Sequence, residues 1–282
     1  MAKLPPYASI GERIWNAAYN LICVLIYLFL IAPILVIIPL SFNAEPYFTF
    51  TTGMLNFDPA AYSLRWYQDI LNNDQWLLAF KNSFIIGIFA TLLASTLGTV
   101  AALGLSNARM PLRSAVMALL LSPMIVPVII SAAGMYFLYS AVGLSQTFLG
   151  LVLAHAVLGT PFVVVTVTAT LSGFDRSLMR ASASLGASPA RTFFKVIMPL
   201  IAPGVISGAL FAFITSFDEV VAVLFLSGPE QRTVPRQMWS GIREQISPTI
   251  LAVATLLILV SILLLATLEF LRRRNERLRG LS

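Results

Sequence analysis

Six runs of apolar residues, each long enough to cross a lipid bilayer, constrain this 282-residue chain more than any other feature. Crossing the hydrocarbon core as a helix takes about 20 apolar residues. The runs are 21–42, 80–105, 114–140, 147–171, 200–226 and 249–271. They predict an all-α integral membrane protein with six transmembrane helices. Charged residues make up only 11% of the chain and mean hydropathy is +0.87, whereas a soluble domain carries roughly 25% charged residues. Pro33, Pro39, Pro123, Pro127 and Pro161 fall inside the runs, which is tolerated where neighbouring helices protect the freed carbonyls. The run from Leu21 to Leu40 exceeds an ordinary signal h-region and no small-residue cleavage site follows it, so it reads as a first span.

An even number of spans puts both termini on one side. Thirteen basic residues fall on that side: Lys3, Arg13, Arg109, Arg113, Arg176, Arg180, Arg191, Lys195, Arg272, Arg273, Arg274, Arg277 and Arg279. Five fall on the other: Arg65, Lys81, Arg232, Arg236 and Arg243. By the positive-inside rule both termini are expected to be cytoplasmic. Residues 1–20 then form a cytoplasmic N-terminal segment, 21–271 the six-helix transmembrane domain, and 272–282 a basic cytoplasmic tail. The net charge of +6 is explained by orientation, and nucleic acid is not an expected partner. Cys23 is the single cysteine and His155 the single histidine, so neither a disulfide framework nor a metal-ligand spacing exists.

Small residues recur every fourth position at Ala90, Ala94, Gly98 and Ala102, and again at Gly204, Gly208, Ala212 and Ser216. Such stripes let helix backbones approach closely in lipid, within a bundle or across a dimer.

Between the fourth and fifth runs lies a polar stretch, RASASLGASPARTFFKVIMPLIAPG, Arg180 to Gly204. Ser177 to Leu185 has helical character, and Gly186 permits a turn that a side chain would hinder. Pro189 suits the first turn of a second helix with Ser188 as its cap. That helix carries Phe193, Val196 and Ile197 on one flank and Arg191 and Lys195 on another. Pro199 and Pro203 mark entry to the fifth span. The segment 175–199 is expected to form a helical knob with a face for a partner; the plainer alternative is a juxtamembrane basic loop.

This stretch resembles the EAA loop of the membrane subunits of binding-protein-dependent ABC importers, whose pattern is Glu-Ala-Ala, three residues, Gly, nine residues, Ile-x-Leu-Pro. Gly186 and Pro199 match at the right separation, Ala181 matches the first alanine, and Ser182, Val196 and Met198 are substitutions. Arg180 stands at the glutamate position, a reversal of charge that bears on any ion pair made there. SPMIVPVIISAAGMYFLY, LVLAHAVLGTPFVVVTVTATLSGFD and SFDEVVAVLFLSGPEQRTVPRQMWSGIREQISPTI are similar to the polyamine-type permeases of spermidine/putrescine import systems, the second permease more than the first.

The resemblance implies a type I ABC importer-like fold in a bacterial inner membrane, with the cytoplasmic helix between helices 4 and 5 docked in a groove of the ATPase. Ala181, Ser182, Leu185, Gly186, Ala187, Ser188, Arg191 and Phe194 would make that coupling surface. The implied partners are an ABC ATPase dimer, a second homologous permease and an external substrate-binding protein. No Gly-x4-Gly-Lys-Ser/Thr motif occurs in the sequence, so ATP and Mg would be bound by the partner ATPase and no cofactor is expected on this chain.

Ionisable groups deep in a span are costly and are read as functional by default. Asp218 and Glu219 fall about 18 residues into the fifth run. At about 100° per residue they share a broad face with Phe211, Thr215 and Ala222. Carboxylates and ring faces are what a flexible polycation needs. Phe217 and His155 complete the candidate pathway set. The alternatives are that the carboxylates pair with Arg232 or Arg236 at the outer interface, and that His155 packs against a neighbouring helix. Tyr139 and Trp239 are expected as interfacial anchors. Thr233–Gln245 is expected as a short outer helix capped by Thr233, serving as a gate, a docking surface or an interfacial element. Competing functions are import of another small solute (amino-acid-like, opine-like or a metal complex) and ion-driven secondary transport. Against the latter, no repeat relates the two halves. A membrane enzyme is disfavoured, since no catalytic set is present.

Overall fold

The computed structural model describes residues 7, 9–107, 110–175, 177–244 and 247–278. Lys3, Arg109, Arg176 and Arg279 of the charge count lie outside the described residues. Apart from one isolated bridge between Asn43 and Tyr62, every regular element among those residues is helical.

Two units make up the chain. Residues 1–70 and 246–258 form the first, residues 71–245 and 259–282 the second. In the first unit, α1 (Ile10–Leu40) opens on a capping box. Ser9 Oγ accepts from the Glu12 N–H, and the Glu12 carboxylate accepts from the Ser9 N–H at 2.8 Å. Large apolar side chains cover every face of α1 and stay exposed, as expected of a helix surrounded by lipid rather than by its own protein. The loop after it is organised by Asn43. Its buried amide donates to the Tyr47 and Thr49 carbonyls, and its own carbonyl accepts from Trp66 Nε1 at 2.7 Å. Short helices α2 (Thr52–Leu55) and α3 (Arg65–Asn72) follow, and Asp69 on α3 accepts from Thr249 Oγ1 at 2.7 Å.

The second unit is built on α4 (Asp74–Leu105), α7 (Phe148–Ser172) and α10 (Met198–Asp218), which pack pairwise on one another. Both small-residue stripes lie in this three-helix core, with Ala90, Ala94, Ala102 and Ala212 each no more than 2% exposed. A Cβ on Gly98 would sit 2.7 Å from Val163 Cβ, and one on Gly208 would sit 2.7 Å from Val163 Cα. Val163 of α7 is thus clamped between glycines of two neighbours, which is close helix packing within one bundle.

The third apolar run differs from expectation. It forms two helices, α5 (Arg113–Ile125) and α6 (Val128–Ala141), bent by 103°. The cause is Pro127, whose ring excludes helical conformation at the preceding residue; Val126 is extended at ψ 131°. Among the described residues, five helices are therefore long and apolar enough to span, and the bent pair supplies a sixth crossing if it acts as one. Tyr139 is no interfacial anchor: it is buried with Ile86, Leu151 and Leu226.

The fifth run is also redrawn. Its helix starts earlier, at α9 (Pro189–Thr192), and continues through a π-helical turn (Phe193–Ile197) into α10, with no break at Pro199. Pro199 has no N–H to give the Lys195 carbonyl, and the wider turn accommodates the ring, with Met198 N–H bonded to the Phe193 carbonyl five residues back. At the other end the helix stops at Asp218, Glu219 is extended at ψ 119°, and α11 (Val221–Leu226) begins afresh. Helices α12 (Val234–Glu244) and α13 (Thr249–Leu278) follow.

Candidate functional site

The knob is built from α8 (Ser177–Ser184), the turn at Gly186 and α9. Asp175 initiates α8 by accepting from the Ser177 N–H at 2.8 Å and from Ser177 Oγ at 2.6 Å. These hydrogen bonds hold its carboxyl below the usual range. Gly186 has φ +76°, and the turn is closed by Gly186 N–H to the Ala183 carbonyl and Ala187 N–H to the Ser182 carbonyl. Ser188 Oγ caps α9 through the Arg191 N–H.

Ser182 sits inside the knob, not on its surface. Its hydroxyl and that of Thr192 are 2.8 Å apart and both are buried, so they join the two limbs. The flank of Phe193, Val196 and Ile197 turns back toward the bundle; Ile197 belongs to the main core and Phe193 packs on it. The large apolar residues that project furthest outward are Leu185, 88% exposed, and Phe194, 68% exposed; Leu178 and Met179 on α8 are also exposed. Ala181, Gly186, Ser188 and Arg191 are exposed beside them and Ala187 is half-buried. Arg180 is exposed as well.

At the opposite end of α10 the two carboxylates part company. Asp218 is the last helical residue and its side chain is accessible. Glu219 is half-buried, and its Oε1 accepts from the Ala222 N–H at 2.9 Å, capping α11. The single helical face expected for Phe211, Thr215, Asp218, Glu219 and Ala222 is therefore interrupted, because the chain changes direction at 219 and Ala222 is buried on α11. Neither carboxylate pairs with Arg232 or Arg236 among the described residues.

Aromatic rings surround this end of α10. Phe217 is buried against Phe84 at 5.1 Å and Phe213 at 5.5 Å, while Phe211 stacks on Phe162 at 6.1 Å. Thr215 is half-buried. His155 is 1% exposed, with Nδ1 2.7 Å from Ser216 Oγ on α10, and its Nε2 meets no partner. This contact ties α7 to α10 two residues before the helix ends.

The loop between α11 and α12 is fastened to α4 by Asn82 and Ser83. Asn82 Nδ2 donates to the Glu230 and Arg232 carbonyls at 2.8 and 2.9 Å, and Ser83 Oγ accepts from the Val234 N–H at 2.9 Å. Ser83 thus takes the capping role expected of Thr233, whose own buried hydroxyl has no partner. The sequence reading missed both residues, although two adjacent polar side chains near the start of an apolar run were a legible signal. Trp239 on α12 is 46% exposed.

These features define a multi-span helical membrane protein with a helical projection at one end of its core and an accessible carboxylate at the other. The chain belongs to the family of binding-protein-dependent transport system inner membrane components, whose model matches residues 94–277. It is accordingly a non-catalytic inner-membrane permease component. It is 33% identical over 257 residues to the spermidine/putrescine transport system permease protein PotC of Haemophilus influenzae, covering 91% of this chain and 97% of that protein. It is 32% identical over 237 residues to the putrescine transport system permease protein PotI of Escherichia coli, covering 82% of each. Among solved structures, a bacterial ABC transporter involved in import of the acidic polysaccharide alginate superposes with a TM-score of 0.72 at 16% identity, covering 94% of this chain and 99% of that one. An amino acid ABC transporter with histidines gives 0.56 at 16%, covering 74% and 98%. The fold is that of ABC importer membrane subunits.

Proposed function

We propose that this chain is one permease of an ATP-driven importer for small polycations of the putrescine/spermidine class. The observation that carries the reading is its 33% identity to a spermidine/putrescine permease along 97% of that protein. It works beside a second, homologous permease and receives solute from an external binding protein. Two ATPase subunits on the cytoplasmic side bind ATP and Mg. Their closure pushes the 175–199 knob, gripping Leu185 and Phe194 with Ala181, Gly186, Ala187, Ser188 and Arg191 around them. Ser182, bonded to Thr192, keeps the knob stiff enough to transmit the push. With Arg180 in place of an acid, docking rests on the apolar contact rather than on an ion pair from that position. Because α9 runs without a break into α10, movement of the knob carries along the helix whose far end bears Asp218.

Asp218 supports the cationic reading. A carboxylate at a helix C-terminus adds its charge to the negative end of the helix dipole, which favours an ammonium group there. Phe211, Thr215, Phe217 and His155 form the neighbourhood, the rings offering cation–π contact and His155 fixing α10 to α7. Glu219 shapes the turn rather than meeting solute.

The test is uptake of labelled putrescine by cells whose other polyamine importers are deleted and which express this chain with its partner subunits. Saturable uptake that excess spermidine suppresses, and excess histidine does not, is expected. Suppression by histidine alone would assign the scaffold to another solute.

A further inference from the structure

The loop after α1 is turned inside out. Its polar groups face inward and bond to one another. Asn43, fully buried, donates to the Tyr47 and Thr49 carbonyls, and its Oδ1 accepts from the Glu45 N–H at 3.0 Å. Thr51 Oγ1 accepts from the Met54 N–H at 3.3 Å, and Asp58 accepts from the Ala60 N–H at 2.9 Å. The Tyr62 hydroxyl donates to the Met54 carbonyl at 3.1 Å. The large apolar side chains do the opposite: Tyr47, Phe48, Phe50, Leu55 and Phe57 are all exposed. Residues 46–57 contain no charged side chain. A loop standing in water shows the reverse pattern. Polar groups satisfied internally and apolar groups displayed are what lipid demands of a chain.

Phe57 is the sharpest case. Helix α2 ends in a Schellman turn, with the Asp58 N–H bonded to the Gly53 carbonyl at 2.9 Å and the Phe57 N–H to the Met54 carbonyl at 3.1 Å. That turn requires left-handed backbone at Phe57, whose φ is +56°. Glycine takes this conformation freely, whereas a bulky residue takes it at a cost. Nothing among the described residues offsets the cost, because the ring is 83% exposed. What the ring meets lies outside the chain.

Position names the contact. About 20 residues cross the hydrocarbon layer, and the run ending at Leu40 supplies them, so the chain leaves that layer as the loop begins. The loop is stitched back to this point. The Ala44 N–H bonds to the Ala61 carbonyl at 2.9 Å, the Ser63 N–H to the Phe42 carbonyl at 2.7 Å, and Ser41 Oγ lies 2.7 Å from the Tyr67 hydroxyl. Leu35 and Val36, near the end of α1, are still exposed, so the lipid-facing surface of the helix runs up to the loop.

We propose that residues 46–57 are an interfacial anchor, with Tyr47, Phe50, Leu55 and Phe57 seated among the lipid headgroups and upper acyl chains. Aromatic rings favour that layer, and the anchor fixes the depth at which α1 ends. The loop leads into α3, whose Asp69 accepts from Thr249, so the start of α13 is set by the same anchor. The inference holds whichever solute is carried.

The test places a nitroxide on Leu55→Cys in a Cys23→Ser chain, assembled with cysteine-free partner subunits in liposomes of phosphatidylethanolamine and phosphatidylglycerol. Power saturation compares collisions with oxygen, which concentrates in lipid, against collisions with a water-soluble nickel chelate. The oxygen-to-nickel ratio is expected to exceed that of the label free in buffer at least about threefold, as seating in the interface requires. It should keep that value when loaded binding protein is added. A ratio equal to that in buffer overturns the proposal, because the loop then stands in water. Few collisions with either reagent in the resting complex, or a fall in both on adding binding protein, also overturns it by assigning the surface to a protein partner. Phe57→Gly preserves the turn, since glycine is relaxed at φ +56°, and should shift the Leu55 label toward the buffer value. An unshifted ratio overturns the anchoring role of Phe57.

Discussion

Valine in place of Gly186 is expected to abolish solute uptake while the protein still inserts and assembles in the membrane. Gly186 has φ +76°, and a Cβ there would meet nothing within 4 Å, so crowding is not the problem. The penalty is in the backbone: a left-handed conformation costs an ordinary L-residue roughly 1–2 kcal/mol, and a β-branched one more. The turn would relax and swing Leu185 out of register with Phe194, the two most exposed large apolar side chains of the knob. The spans would be untouched, because the turn contributes nothing to the α4–α7–α10 core. Asparagine tolerates the left-handed region, so Gly186→Asn should retain most uptake. The comparison is initial uptake rate against membrane abundance for both variants. Equal loss in Val and Asn would mean that side-chain volume, not backbone geometry, is what the partner senses.

Removing the charge of Asp218 should cut transport of a dication by roughly ten- to a hundredfold, the range implied by losing a charge-assisted hydrogen bond of about 1.5–3 kcal/mol. Glu219→Gln should do far less, because the amide oxygen can still accept from the Ala222 N–H that the carboxylate caps. The two substitutions, made separately, distinguish a solute contact from a helix cap. Uptake rates at saturating loaded binding protein are the readout, with solute affinity of the binding protein unchanged as the control. If Asp218→Asn transports normally and Glu219→Gln does not, the carboxylate that matters is the one holding the turn.

Much of this architecture was legible in the sequence because lipid simplifies the rules. Apolar length marks the spans, and the stripes of Ala90, Ala94 and Gly98 and of Gly204, Gly208 and Ala212 marked helix faces that do lie in the core. The knob was readable because each of its devices is local: a capping serine at 188, a proline at 189 and a glycine at 186. What failed depended on a single bond geometry or on a distant partner. Pro127 looked like one tolerated proline among several, yet its restriction of Val126 folds a span through 103°. The end of α10 carries no glycine or proline, and its break at Glu219 shows only in the side chain's reach to Ala222. Pairing of Asp218 or Glu219 with Arg232 or Arg236 was a reasonable reading of charge alone. The arginines instead face carbonyls and Gln237, and the cap expected from Thr233 comes from Ser83, some 150 residues earlier in the chain.

This chain is proposed to be a passive conduit worked by a separate motor. The direct measurement uses proteoliposomes carrying the two permeases and the ATPase subunits, with loaded binding protein outside and nucleotide sealed inside. Labelled putrescine should accumulate above its external concentration with ATP and Mg, and should fail to do so with ADP or a non-hydrolysable analogue under any imposed ion gradient. Accumulation against its gradient in vesicles containing no ATP, driven by protons or sodium, would contradict the account.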